Sequence, residues 1–216
     1  MDEPDCHPLK LENTYRQFKK INGLLSQWRS IYQKELRPYL QAAGHARLLD
    51  IGFGGGDIPL KLATWAAGDK LDLHITAVDT DKRAFDFVSK QSHPDNISFL
   101  NCSAEKLAGE GKKYDFVISN HLVHHLSKEQ LRTSLSEARE LSTHKVIFND
   151  IRRSDLAYLL FSLLTRPLFQ DSFIIRDGLT SIERSYTLTE LKQTVPKGWQ
   201  VRKLFPFRLL LTYHHA

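Results

Sequence analysis

The feature that most restricts the fold is an alternation. Short apolar runs at 47–51, 73–78, 97–100, 116–119 and 145–149 are separated by helix-suited segments at 57–67, 81–90, near Ala104 and at 128–141. Strands that take turns with helices pair in parallel, because each crossover helix packs back onto the sheet with a right-handed sense. The last two runs, 199–205 and 207–213, are separated only by Pro206 or its neighbours. That gap is too short for a crossover and predicts a terminal antiparallel hairpin. The chain is therefore expected to be α/β, with a mainly parallel sheet ending in a reversed strand pair.

Segments on either side add to this core. From 10 to 41, Leu11, Tyr15, Phe18, Ile21, Leu24, Leu25, Trp28, Ile31, Tyr32 and Leu36 recur at the threes and fours of an amphipathic helix. Gly23 is predicted to divide it in two. Residues 151–195 exceed what a crossover needs and are expected to form a lid, with an apolar helix around 156–168 and a loop holding Arg176, Asp177 and Gly178. The 216 residues thus suggest one domain: helical cap 1–43, core 44–150, lid and substrate segment 151–195, hairpin 196–216.

Composition removes several function classes. Hydrophobic residues at 41% and charged residues at 25% are ordinary globular usage. The net charge of +5 is spread without a dense basic block, so no nucleic-acid partner is expected. Two cysteines, Cys6 and Cys102, make no disulfide framework, and a reducing cytoplasm fits. The N-terminus is acidic and then polar, unlike an export signal. The apolar stretch 156–169 is interrupted by Ser162, Thr165 and Arg166 and is too short for stable membrane insertion, although it suits contact with a greasy ligand or a membrane surface.

Function is best sought where the first strand meets Gly52-Phe-Gly-Gly-Gly56. In an open parallel sheet, ligands lie beyond the carboxyl ends of the strands, and glycines let backbone N–H groups approach them. The second strand ends at Asp79, about two dozen residues on, where a carboxylate can accept both hydroxyls of a ribose. A structural turn and an aspartate serving as a helix cap remain the plainer explanations.

As an ordered set, Leu49-Asp-Ile-Gly-Phe-Gly-Gly-Gly-Asp57, Ala77-Val-Asp79 and Tyr114-Asp-Phe-Val-Ile-Ser-Asn120 resemble the successive motifs of class I S-adenosylmethionine-dependent methyltransferases over residues 46–150. The resemblance implies a Rossmann-like fold with helices on both faces of a seven-stranded sheet of order 3-2-1-4-5-7-6. It implies S-adenosyl-L-methionine as cofactor, with Asp50, Gly52, Gly54 and Asp57 at its methionine part and Asp79 and Thr80 at the ribose. Ser103 and Ala104 would lie beside adenine, and Asn120 on the sulfonium side. Ser103 departs from the family, which often has an acid there, so that adenine would be met by backbone groups or by Glu105. A dinucleotide site would show glycine where this chain has Asp57.

Methyl transfer asks a protein to align the acceptor, exclude water and, for a hydroxyl acceptor, take a proton. Asn120-His-Leu-Val-His-His-Leu126 puts His121, His124 and His125 just past the fourth strand. His121 and His125 are the preferred bases, with Asp150 as orienting acid and no metal, since two histidines are adjacent and no Cys or carboxylate sits at ligating spacing. Tyr15, Arg16, Tyr32, Arg152, Tyr158 and Arg176 are candidate acceptor contacts, and His214 and His215 are expected to be tail residues. The histidine segment is similar to that of quinone-biosynthesis and phenolic natural-product methyltransferases. Asp150-Ile-Arg-Arg-Ser154 with its apolar helix resembles methyltransferases of aromatic polyketide pathways in secondary metabolism. The expected activity is O-methylation of a small phenolic acceptor by a monomer or homodimer. C-methylation of a quinone precursor and a non-catalytic cofactor-binding scaffold are the alternatives.

Overall fold

The computed structural model describes residues 6–165, 169 and 171–215. Its strands are β1 (His45–Ile51), β2 (Asp72–Asp79), β3 (Ile97–Asn101), β4 (Tyr114–Asn120), β5 (Ser142–Ile151), β6 (Gln200–Leu204) and β7 (Arg208–His214). They form one sheet in the order β3-β2-β1-β4-β5-β7-β6. All pairings are parallel except those of β7, which runs antiparallel to both β5 and β6. The predicted architecture and hairpin are thus observed.

The central strands are apolar on both faces, as they must be when helices cover each side. Leu48, Phe116, Ile118, Ile147 and Leu210 point to one face, under Trp28, Leu36, Leu40 and Leu62. Leu49, Val117, Val146, Phe148, Leu209 and Leu211 point to the other, under Leu131, Leu135, Leu141 and Leu191. The helices of the second face have firm starts. In α7 (Lys128–Leu141) Ser127 and Gln130 form a capping box, and Thr187 and Glu190 do the same for α10 (Leu188–Thr194).

Three sequence expectations are corrected. Helix α1 (Pro8–Leu25) runs through Gly23, and the break falls at Gln27, whose φ of 59° ends helical geometry. A short α2 (Trp28–Ile31) then leads into a π-helical turn, Tyr32–Leu36, before α3 (Arg37–Ala43). Pro38 explains the wide turn: it lacks an N–H, and its ring would clash with the carbonyl four residues back in a tight helix. The lid is more helical than expected, because Arg176, Asp177 and Gly178 lie within α9 (Ile174–Arg184) and not in a loop. The predicted apolar helix is α8 (Asp155–Leu164), capped by Ser154; its expected continuation over 166–168 lies outside the described residues. Finally, His214 and His215 are no tail: His214 pairs with Lys145 across β5 and β7, and His215 meets the Ser142 hydroxyl at 2.7 Å.

Candidate active site

Strand order reverses direction between β1 and β4, and the crevice opens beyond their carboxyl ends. The turn from β1 into α4 (Asp57–Gly68) is held by Gly52 N–H donating to the Val78 carbonyl at 2.8 Å and by Gly56 N–H donating to Phe53 at 2.8 Å. Gly54 has φ +52°, and a Cβ there would meet nothing within 4 Å, so its backbone faces open space. Its N–H donates to Asp79 Oδ2 at 2.9 Å, while Asp79 Oδ1 accepts from the Asp81 N–H at 2.9 Å. The aspartate that ends β2 therefore lies over the glycine turn, and burial raises its carboxyl pKa.

Two further acids stand behind the turn. Asp57 accepts from Asn22 Nδ2 at 3.1 Å and from Lys61 Nζ at 3.0 Å, so its charge is compensated. Asp50 is different. It is buried at the end of β1, its Oδ1 has no hydrogen-bond partner among the described residues, and burial, then Asp57 and Asp79, push its carboxyl well above the usual range. A buried acceptor left open at a cavity wall suits an incoming ammonium or N–H donor. With Asp79 placed for vicinal hydroxyls, these residues fit a cofactor that joins an amino acid to a nucleoside.

On the other side of β4 the histidines separate into distinct roles. His124, on the short 3₁₀ turn Val123–His125, brings Nδ1 to 2.7 Å from Asp150 Oδ1, and its backbone N–H donates to Asp150 Oδ2 at 3.1 Å. Burial alone would raise the Asp150 carboxyl, but the His124 charge and hydrogen bond hold it well below the ordinary carboxylate range. An ionised Asp150 fixes the Nδ1–H form of His124 and leaves Nε2 as its working atom. Asp150 thus orients His124, not His121 or His125 as the sequence suggested. His121 is held in a left-handed conformation, φ 64°, by donation of its N–H to the Asn149 carbonyl. Its Nε2 lies 2.6 Å from Arg208 Nη1. A guanidinium can only donate, so that lone pair is occupied and the ring is neutral. Burial and the Arg208 charge accordingly drive the His121 pKa well below its ordinary value.

Asn120 accepts from Trp28 Nε1 at 2.9 Å and from Arg208 Nη2 at 2.9 Å. The sequence reading missed Arg208. Its one signal is a lone charge opening the apolar run Leu209-Leu-Leu211.

Together these groups border a cavity of about 790 Å³ whose remaining wall comes from α1, α8, α9 and the hairpin turn. Of the expected site residues, Asp50, Gly52, Gly54, Asp57, Asp79, Thr80, Asn120, His121, His125 and Tyr15 line it, joined by His124 and Arg208. Asp150 stands one layer behind, in contact with His124. Tyr32 does not reach it: the ring is wholly buried and its hydroxyl donates to Asp69 at 2.8 Å. Arg16, Arg152, Tyr158 and Arg176 are also outside the lining, as are Ser103 and Ala104. Arg152 stacks on the Phe207 ring, Tyr158 points to the outer surface of α8, and Ser103 caps α6 (Ala104–Gly109). The facing wall is mostly apolar, with Leu160, Phe161, Ile174, Ile182 and Phe207, and also carries the polar side chains of Asp177, Thr180, Ser181 and Arg184.

This sheet order with a glycine turn after β1 and an acid ending β2 defines a Rossmann-like methyltransferase fold. Residues 48–144 match the model of a methyltransferase domain family. Over that stretch the chain is similar to methyltransferase domains, and its fold is that of the class I S-adenosylmethionine-dependent methyltransferases. Solved structures share the fold at low identity. Human N-acetylserotonin methyltransferase, in complex with SAM, aligns with TM-score 0.67 and 12% identity over 97% of this chain and 57% of that one. The PH0226 protein from Pyrococcus horikoshii OT3 aligns at 0.62 and 15%, over 98% and 97%. The plantazolicin methyltransferase BpumL, in complex with a monoazolic desmethylPZN analog and SAH, aligns at 0.58 and 13%, over 95% and 86%. A search of curated protein sequences returned no match. Among the described residues no helix is long and apolar enough to cross a membrane.

Proposed function

We propose that the enzyme methylates the hydroxyl oxygen of a small phenolic or polyketide-like acceptor, with His124 as the base and Asp150 as its positioning residue. The observation that carries this reading is the buried Asp150–His124 pair at 2.7 Å on the wall of a mostly apolar cavity that also contains the glycine turn. When bound, S-adenosylmethionine supplies an electrophilic methyl group. The protein's share is alignment and proton removal. Asp50, Asp79 and the Gly54 backbone hold the cofactor, and Leu160, Phe161 and Ile174 exclude water from the acceptor ring. His124 Nε2 takes the hydroxyl proton, and the ionised Asp150 stabilises the imidazolium that results. The size of the cavity suits a small lipophilic molecule within the usual range of about 300–1,000 Å³ for ligand pockets.

The test is incubation with methyl-labelled S-adenosylmethionine and a panel of phenols and quinone precursors, with the methyl position assigned by NMR. Transfer to oxygen, with kcat lower by about 10²–10⁴ in His124→Gln, is the expected result. Transfer to ring carbon, or an unimpaired His124→Gln enzyme, would overturn the assignment.

A further inference from the structure

Arg208 is more than a structural tie. It is 3% exposed, yet it lines the acceptor cavity. Every acceptor it meets is neutral: Asn149 Oδ1 at 3.1 Å, the Asn149 carbonyl at 3.5 Å, Asn120 Oδ1 at 2.9 Å and His121 Nε2 at 2.6 Å. Among the described residues it makes no ion pair. The acid whose charge acts on it, Asp150, gives its hydrogen bonds to His124 and to the Ile151 N–H at 2.6 Å. Nη1 keeps a second N–H beyond the one given to His121. Burial lowers the Arg208 pKa to about 10, so the group stays a cation at neutral pH.

Asp150 offsets this buried cation through space but makes no hydrogen bond to it, so an anion in the cavity would be its first direct ionic partner among the described residues. The surrounding groups make the cation rigid: Asn149 Nδ2 donates to the Ser26 carbonyl, and Asn120 is fixed from behind by Trp28. With Nε, Nη2 and half of Nη1 engaged, the guanidinium keeps one Nη1–H, enough for a single charge-assisted hydrogen bond to an oxyanion. His121 strengthens the case, because accepting from Arg208 at Nε2 turns its Nδ1 into a second donor. The open side of this cluster is the cavity itself.

We infer that the acceptor enters carrying an anionic oxygen on its aromatic system, a carboxylate or an ionised phenol, and that Arg208 receives it. This rests on the reading of a small aromatic acceptor but is tested by binding, so the two can fail separately. Arg208 would thus select among phenols, while His124 acts on the accepting hydroxyl.

The experiment titrates the protein, saturated with S-adenosylhomocysteine, with 3-hydroxybenzoate, its methyl ester and 4-nitrophenol above that phenol's pKa, following heat and tryptophan fluorescence. The wild type should bind at least one of the two anions about tenfold or more tightly than the ester, as expected of a charge-assisted pair in a desolvated site. Preference for 3-hydroxybenzoate would identify the carboxylate, and for 4-nitrophenolate the ionised phenol. Arg208→Met should erase the preference and Arg208→Lys keep part of it. Asn120→Asp, which retains both acceptor bonds but puts a carboxylate against the guanidinium, should erase it without removing Arg208. A wild type that does not prefer either anion, or a preference that survives Arg208→Met or Asn120→Asp, would overturn the inference. So would a loss in Arg208→Met of S-adenosylhomocysteine affinity alone, since the cofactor's carboxylate would then be the anion at Arg208. Anion binding at Arg208 without methylation of any phenol would leave this site standing and sink the proposed activity.

Discussion

The two walls of the cavity are built from different materials. On the cofactor side the contacts are backbone groups and short acids at strand ends, where Gly52, Gly54 and Asp79 are positioned by ladder and turn hydrogen bonds. On the acceptor side they are long side chains on α8, α9 and the hairpin turn, and α8 leaves Leu156, Leu159, Leu163 and Leu164 more than half exposed. A sheet edge fixes atoms to within the tolerance of its hydrogen bonds. A helix laid across the opening by a few apolar contacts can shift without unravelling the core. On the proposed reading, the wall of strand ends holds the cofactor and the helical wall selects the acceptor.

Substitutions on the two walls should separate cofactor affinity from acceptor affinity. The largest effect belongs to Asp79→Ala, which removes the ribose acceptors and the anchor of Gly54. It should weaken S-adenosylhomocysteine binding by about 100-fold, equivalent to about 2.7 kcal/mol, as measured by calorimetry. Less than threefold would mean that the carboxylate serves only the turn. Next is Gly178→Ala in α9, whose Cβ would stand 2.4 Å from the Phe161 ring. The ring must swing or α9 must move, for about 1–3 kcal/mol in thermal unfolding and a higher acceptor KM, with cofactor affinity unchanged. A parallel loss of cofactor affinity would break the comparison.

A smaller, pH-dependent effect is expected from Asp50→Asn. Because burial raises the folded-state pKa of Asp50, the folded protein favours its protonated form. The stability linked to that proton is full below the ordinary carboxylate range and is lost as pH rises through the raised value. The neutral amide escapes this loss, so Asp50→Asn should stabilise the cofactor-free protein by about 1–3 kcal/mol at neutral pH and by little at low pH. Equal stability changes across a pH series of melting curves would count against a strained Asp50.

The same contrast explains what was legible in the sequence. Strand alternation, the glycine turn and the Asp79 position are local patterns, and each was found where it was expected. The pairings that define the acceptor side join residues far apart in the chain. Asp150 meets His124 across 26 positions, and Arg208 meets His121 across 87. No spacing rule links such pairs, and three histidines within five residues look alike until the sheet chooses among them. Gly23 misled for a related reason: one glycine weakens a helix by only about 1 kcal/mol, which burial of Leu11, Tyr15 and Thr14 readily outweighs. Arg176 and Tyr158 were expected to touch the acceptor, but they sit on α9 and α8 outside the cavity lining.

The reversed direction of β7 has a consequence for how this scaffold can vary. A parallel strand delivers its last residue to the reactive edge, whereas β7 delivers its first, so Arg208 arrives opposite Ile151 directly after the turn at 205–207. Changes of length or sequence in that turn would therefore reshape the cavity wall at 205–208 while the remainder of β7 stays in register, so the hairpin can vary without disturbing the sheet.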